Sequence, residues 1–119
     1  MVESGAKSPP DSPGAVTPHD LHALIGAGQA PVVVDVRTAA EYAAGHVPGA
    51  LNLPLASVWK RASQLPTERE QPMIVYCGHG PRARLAAALL RYRGFRRVVF
   101  LQGHMTGWRR AGLPEEHAG

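Results

Sequence analysis

Cys77, the single cysteine of the chain, ends the apolar run Met73-Ile74-Val75-Tyr76 and opens the loop Gly78-His79-Gly80-Pro81-Arg82, which leads into the helix-forming stretch from Ala83 and Arg84 onward. This order of residues suits a reactive thiolate. A strand end carries the sulfur to the edge of a sheet, glycines at 78 and 80 let backbone N–H groups turn inward around it, and a helix N-terminus beside Arg82 adds positive potential. A free thiol titrates near ~8.5, and such surroundings lower it into roughly the 3.5–7.5 range. The competing reading is a buried structural cysteine that behaves as a small hydrophobe, but such a residue has no need of a Gly-x-Gly-Pro-Arg loop after it.

With one cysteine there is no intramolecular disulfide, and no second thiol in the chain to resolve an oxidised or sulfur-loaded Cys77. The acceptor of any group carried on Cys77 must come from outside. His79, two residues on, has the chemistry to lower the thiol pKa or to pass a proton, although a loop histidine commonly does neither. Arg84, in the first helical turn, either touches a substrate anion or points to solvent. His19 and His22, at i and i+3, have the spacing of no more than half a metal site. With the lone cysteine claimed by the loop, a metal is not expected. Trp59 and Trp108 read as packing residues.

The elements that must position the loop are legible on both sides of it. Thr17-Pro18 reads as an N-cap and first helical turn, with Leu21, Leu24 and Ile25 at helical spacing. Val32-Val33-Val34 is a β-branched run of the kind buried on both faces of a parallel sheet, ending in Asp35-Val36-Arg37. Thr38 caps a short helix through Ala44, residues 45–49 form a turn, Ala50 to Leu53 a short strand, and Leu55 to Leu65 a helix stopped by Pro66. After the loop, Arg82 to Arg93 reads as an amphipathic helix burying Leu85, Ala88, Leu89 and Tyr92, closed by Gly94. Val98 to Leu101 is a further strand and Gly103 to Trp108 a short helix. This alternation predicts an α/β fold, a single domain with a mostly parallel central sheet and helices on both faces. In such sheets the site lies at the carboxyl ends of the strands, where Cys77 and Asp35 both fall.

At 119 residues the chain makes one domain able to bury roughly two thirds of its unfolded surface. Residues 1–17, rich in Pro, Ser and Gly, read as a disordered tail, residues 18–114 as the domain, and residues 115–119 as a C-terminal tail. No stretch approaches the ~18 apolar residues of a membrane span, and the first residues lack the order of a signal peptide, so no membrane partner and a cytoplasmic location are expected. The net charge is +4, and between Glu70 and Glu115 every charged residue is an arginine. That half suits a small anion or an acidic partner, with a solvated face the plainer reading for Arg91, Arg93, Arg96 and Arg97. Nucleic acid is not expected, because aromatics are few and no recognition motif is present.

Three blocks of residues resemble the single-domain rhodanese family of sulfurtransferases over nearly all of 17–114. They are Asp35-Val36-Arg37 with Glu41-Tyr42 and Gly45 to Ala50 followed by Asn52-Leu53-Pro54; Cys77-x-x-Gly80-x-Arg82-Ala83 with Ala86-Ala87; and Leu101-x-Gly103 with Trp108 and Gly112-x-Pro114. Two positions depart from the family pattern. His104 stands where a second glycine is usual, which bears on the backbone of that turn, and Ala83 stands where serine is common.

The resemblance implies a rhodanese-like fold in which Asp35, Arg37, Glu41 and His46 hold structure and Cys77 is the nucleophile. It implies that Cys77 takes the outer sulfur of an anionic donor, thiosulfate or a persulfide, and yields it to cyanide or a thiol acceptor, a cycle that needs no metal or organic cofactor. Gly78, His79, Gly80, Pro81, Arg82, Ala83 and Arg84 would line the substrate, with N–H groups facing the sulfur and Arg82 holding the anion. Phosphatases and arsenate reductases of the same fold need a larger loop with the arginine six positions after the cysteine; here that position is Ala83 and the arginines fall at five and seven. A non-catalytic interaction module is disfavoured because the cysteine is retained. A sulfur-relay carrier that docks an acidic sulfur-carrier protein through the arginine-rich half shares the first half-reaction, and differs only in its acceptor.

Overall fold

The computed structural model of the chain describes residues 15–118. In chain order these form β1 (Ala15–Val16), α1 (Pro18–Gly26), β2 (Val32–Asp35), α2 (Ala39–Ala44), β3 (Leu51–Asn52), α3 (Val58–Arg61), β4 (Pro72–Tyr76), α4 (Pro81–Tyr92), β5 (Arg97–Leu101) and α5 (His104–Arg110). The strands make one five-stranded sheet in the order β1-β5-β4-β2-β3, parallel throughout. At the centre Val34 pairs with Val75 and Asp35 with Tyr76, so β2 and β4 end level with one another. The residue that follows Tyr76 is Cys77, which therefore emerges at the carboxyl edge of the sheet.

Strand periodicity divides the core in two. One face sends Val34, Met73, Val75 and Val98 toward α3 and α4, where they pack with Val58, Ala83, Ala86, Ala87, Leu90 and Phe95. The other sends Val33, Ile74, Tyr76, Val99 and Leu101 toward α1 and α5, where they meet Leu21, Met105 and Trp108. Cys77 belongs to the α4 side. No helix among the described residues is long and apolar enough to cross a membrane.

Several elements differ from the sequence reading, each for a physical reason. Helix α4 buries Ala83, Ala86, Ala87 and Leu90, whereas Leu85 and Tyr92 are 53% and 83% exposed. Small side chains let this helix lie close on β4 and β5, and that close approach outweighs the larger apolar residues one step around the helix. Tyr92 instead sits beside Trp59 at 5.7 Å between ring centres, and Trp59, read as a packing residue, is exposed and carries the Arg93 guanidinium 5.0 Å over its ring.

The Leu55 to Leu65 segment is broken into a 3-10 turn (Leu55–Ser57), the single-turn α3 and a second 3-10 turn (Ala62–Gln64). Ala15–Val16, assigned to the tail, form an edge strand on Phe100 and Leu101, and residues 1–14 of that tail lie outside the described residues. The predicted C-terminal tail also folds back: Glu116 exchanges both backbone hydrogen bonds with His46, and the Ala118 N–H donates to the Ala43 carbonyl.

Candidate functional site

The start of the Cys77 loop is fixed by hydrogen bonds from α5. The N–H of Met105 donates to the Cys77 carbonyl at 2.9 Å, and both the N–H and the hydroxyl of Thr106 reach the Gly78 carbonyl, at 3.2 and 3.1 Å. The first turn of α5 therefore clamps the loop from the side opposite α4. Gly80 supplies the bend with φ +140°, a conformation that side chains rarely adopt, and Pro81 then starts α4. Within the bend the Gly80 N–H donates to Cys77 Sγ at 2.9 Å. The sulfur thus lies at the N-terminus of a twelve-residue helix, fully buried beneath its own loop.

Two opposing influences set the charge of this thiol. Burial pushes its pKa up; hydrogen bonds from the His104 side chain and from the backbone of Ala83, Gly80 and His79 outweigh burial and bring it down to about 7. His104 was singled out in the sequence only for its backbone. Its ring in fact lies against the site, with Nδ1 accepting the Cys77 N–H at 3.2 Å. The His79 ring meets α5 instead, with its Nδ1 3.2 Å from the Thr106 hydroxyl.

Arg82 and Glu41, read separately as an anion-holding residue and a fold-holding residue, meet each other. The guanidinium grips the carboxylate through contacts of 2.7 and 3.2 Å, so much of its charge is neutralised by an internal partner. Arg84 is different: its guanidinium folds toward Gly80, with Nη1 3.5 Å from the place a Cβ would occupy there. No ion-pair partner of Arg84 is found among the described residues.

Glu41 also closes a capping box with Thr38 at the start of α2. The Arg82 hydrogen bonds, followed by the Thr38 N–H, draw the Glu41 carboxyl from its ordinary 4.5 down to about 2. A folded value below the unfolded one means the stabilisation is complete above the unfolded pKa and is lost as the pH falls through the folded one. Both side chains are more than a third exposed, which limits the effect to about 0.5–1 kcal/mol. Glu41→Gln is expected to lower the denaturant midpoint at pH 7, with the gap to wild type closing as the pH falls from 4.5 toward 2. A gap of constant size over that range would contradict this assignment.

Among the described residues, no hydrogen bond joins Asp35, Arg37 or His46 to the Cys77 loop. Arg37 and Asp35 are 4% and 0% exposed and joined by Nη2–Oδ2 at 2.8 Å and by Nε contacts of 3.1 Å to both oxygens; Nη2 also donates to the Gly45 carbonyl at 2.6 Å. His46 stacks on Tyr42 at 3.6 Å, and its Nδ1–H donates to the Tyr42 carbonyl. These contacts tie the turn after α2 to the end of β2.

The sheet order and the cysteine loop at its carboxyl edge define a rhodanese-like domain, and the model of the Rhodanese-like domain family matches residues 17–111. The chain belongs to the rhodanese-like sulfurtransferase family. It is 41% identical over 83 residues to a sulfurtransferase from Allochromatium vinosum, covering 70% of this chain and 76% of that one. It is 34% identical over 103 residues to the thiosulfate sulfurtransferase GlpE of Actinobacillus pleuropneumoniae, covering 87% and 93%. The Alr3790 protein from Anabaena sp. superposes with a TM-score of 0.78 at 30% identity, over 86% of this chain and 91% of that one.

Proposed function

We propose that this protein is a thiosulfate or persulfide sulfurtransferase working through a persulfide on Cys77. The observation that carries the reading is a thiol with a near-neutral pKa whose sulfur accepts the Gly80 N–H at the head of α4. In the first half-reaction the Cys77 thiolate attacks the outer sulfur of thiosulfate. A Cys77 Sγ–S bond forms, the S–S bond of the donor breaks, and sulfite leaves with the electron pair. Backbone N–H groups of the loop stabilise the charge on the terminal sulfur. In the second half-reaction cyanide or an external thiolate attacks that sulfur and Cys77 departs as thiolate, which makes the cycle a double displacement.

The size of the loop supports sulfur over phosphorus. Arginines fall five and seven positions after Cys77, with Ala83 between them, so the loop is shorter than one that must surround a tetrahedral oxyanion. Because Cys77 has no exposed surface, donor entry requires the loop to open, and the exposed Arg84 is the cation that meets the donor as it does so. Arg82, gripped by Glu41, holds the loop to α2.

Steady-state rates with thiosulfate and cyanide varied together test both assignments. Parallel double-reciprocal lines are expected, and Arg84→Gln is expected to raise the KM for thiosulfate about tenfold, worth ~1.4 kcal/mol, with kcat nearly kept. Intersecting lines would exclude the persulfide cycle. An unchanged KM in the variant would remove Arg84 from donor binding.

A further inference from the structure

His104 follows Gly103 in a turn where two successive residues have left-handed backbone, φ +73° and +56°. For a side chain other than glycine this conformation is strained, and a strained residue beside a reactive group points to a function for its side chain. The ring is well placed for one. It packs 5.9 Å from the ring of Phe100, accepts the Cys77 N–H on Nδ1, and brings Nε2 to 3.4 Å from the position a Cβ would take on Gly80, the residue whose N–H is on the sulfur. Accepting on Nδ1 fixes the neutral tautomer with its proton on Nε2.

We propose that His104 is a catalytic residue that donates its Nε2–H to Cys77 Sγ, holding that sulfur as a thiolate both when it attacks a donor and when it leaves. The catalytic part rests on the sulfur-transfer reading above. In the return step an acceptor thiolate forms a bond to the outer sulfur, the Cys77 Sγ–S bond breaks, and its electron pair stays on Sγ. The sulfane sulfur is handed on with no net oxidation or reduction, no proton leaves His104, and the Nε2–H stabilises the charge that returns to Sγ. A glycine at 104 offers no such donor.

The experiment is the pH dependence of Cys77 alkylation by iodoacetamide in the full chain, for wild type, His104→Asn and His104→Gly, with sulfur transfer to a small thiol measured on the same proteins. Asparagine tolerates the left-handed backbone and keeps an acceptor in the place of Nδ1, but has nothing at Nε2; glycine relieves the strain and removes both. The other charged or titratable groups around the sulfur, His79, Arg82 and Arg84 with Glu41 behind Arg82, are the same in all three proteins.

Wild type should titrate near 7, and both variants about one unit higher, with transfer at pH 7 slower by about tenfold. A His104→Asn protein with the wild-type midpoint and rate would overturn the proposal and leave His104 as a prop for the Cys77 N–H. Alkylation needs no sulfur donor, so a shifted midpoint in proteins that accept no sulfur would uphold the hydrogen bond and bring down the sulfur-transfer reading alone.

Discussion

Cys77→Ser is expected to abolish sulfur transfer, lowering the rate by at least ~10³-fold, while leaving the fold in place. A serine hydroxyl fills nearly the same volume and still accepts the Gly80 N–H that Sγ accepts at 2.9 Å, so the stability cost should stay within about 1 kcal/mol. What is lost is the nucleophile. An alcohol does not ionise near neutral pH, and the oxygen–sulfur bond it would have to make is no substitute for a persulfide. No second cysteine exists to take over. Thiosulfate:cyanide activity measured beside circular dichroism separates the two effects, and a folded Cys77→Ser protein that keeps a tenth of the activity would contradict the assignment of the nucleophile.

The largest expected loss of stability comes from Asp35→Ala. Asp35 accepts the Arg37 N–H at 2.9 Å as well as the guanidinium contacts, and neither side chain is open to water. Removing the carboxylate leaves a buried guanidinium with the Gly45 carbonyl as its remaining hydrogen-bond acceptor. A buried charge stripped of its partner costs about 3–5 kcal/mol, a large part of the ~5–15 kcal/mol that holds a domain of this kind together. Denaturant midpoints give the cost directly. Adding Arg37→Met to Asp35→Ala should restore part of the stability by removing the orphaned charge, and a single variant within about 1 kcal/mol of wild type would show that the pair is not a buried clamp.

The parts of this fold legible in the sequence are those set by local chemistry. Val32 to Asp35 and Met73 to Tyr76 form central strands because β-branched and apolar runs of that length fit a sheet covered on both sides. Thr17 and Thr38 cap the helices that follow them through their own hydroxyls. What escaped the sequence depends on neighbours distant in the chain. The rotation of α4 is set by how closely Ala83, Ala86 and Ala87 approach the sheet, which the pattern of large apolar residues does not encode. Ala15 and Val16 become a strand only because β5 offers an edge to pair with.

The site divides along the same line. Cys77, its glycines and its arginines stand together in the sequence, so the loop could be read as a unit. Glu41 and Arg82 were each singled out, but 41 residues separate them and nothing local joins them. His104 lies 27 residues beyond Cys77, and the first turn of α5 carries it to the loop. The one signal for it was a bulky residue in a turn that favours glycine, which announces strain but not the partner that the side chain meets.

The most direct test of the central claim is the intact mass of the protein after exposure to thiosulfate and removal of excess donor, with Cys77→Ser alongside. Wild type should gain the mass of about one sulfur atom and the variant none, with the added mass removed by cyanide or a small thiol. A wild-type protein that gains no mass while Cys77 remains open to alkylation would contradict transfer from thiosulfate.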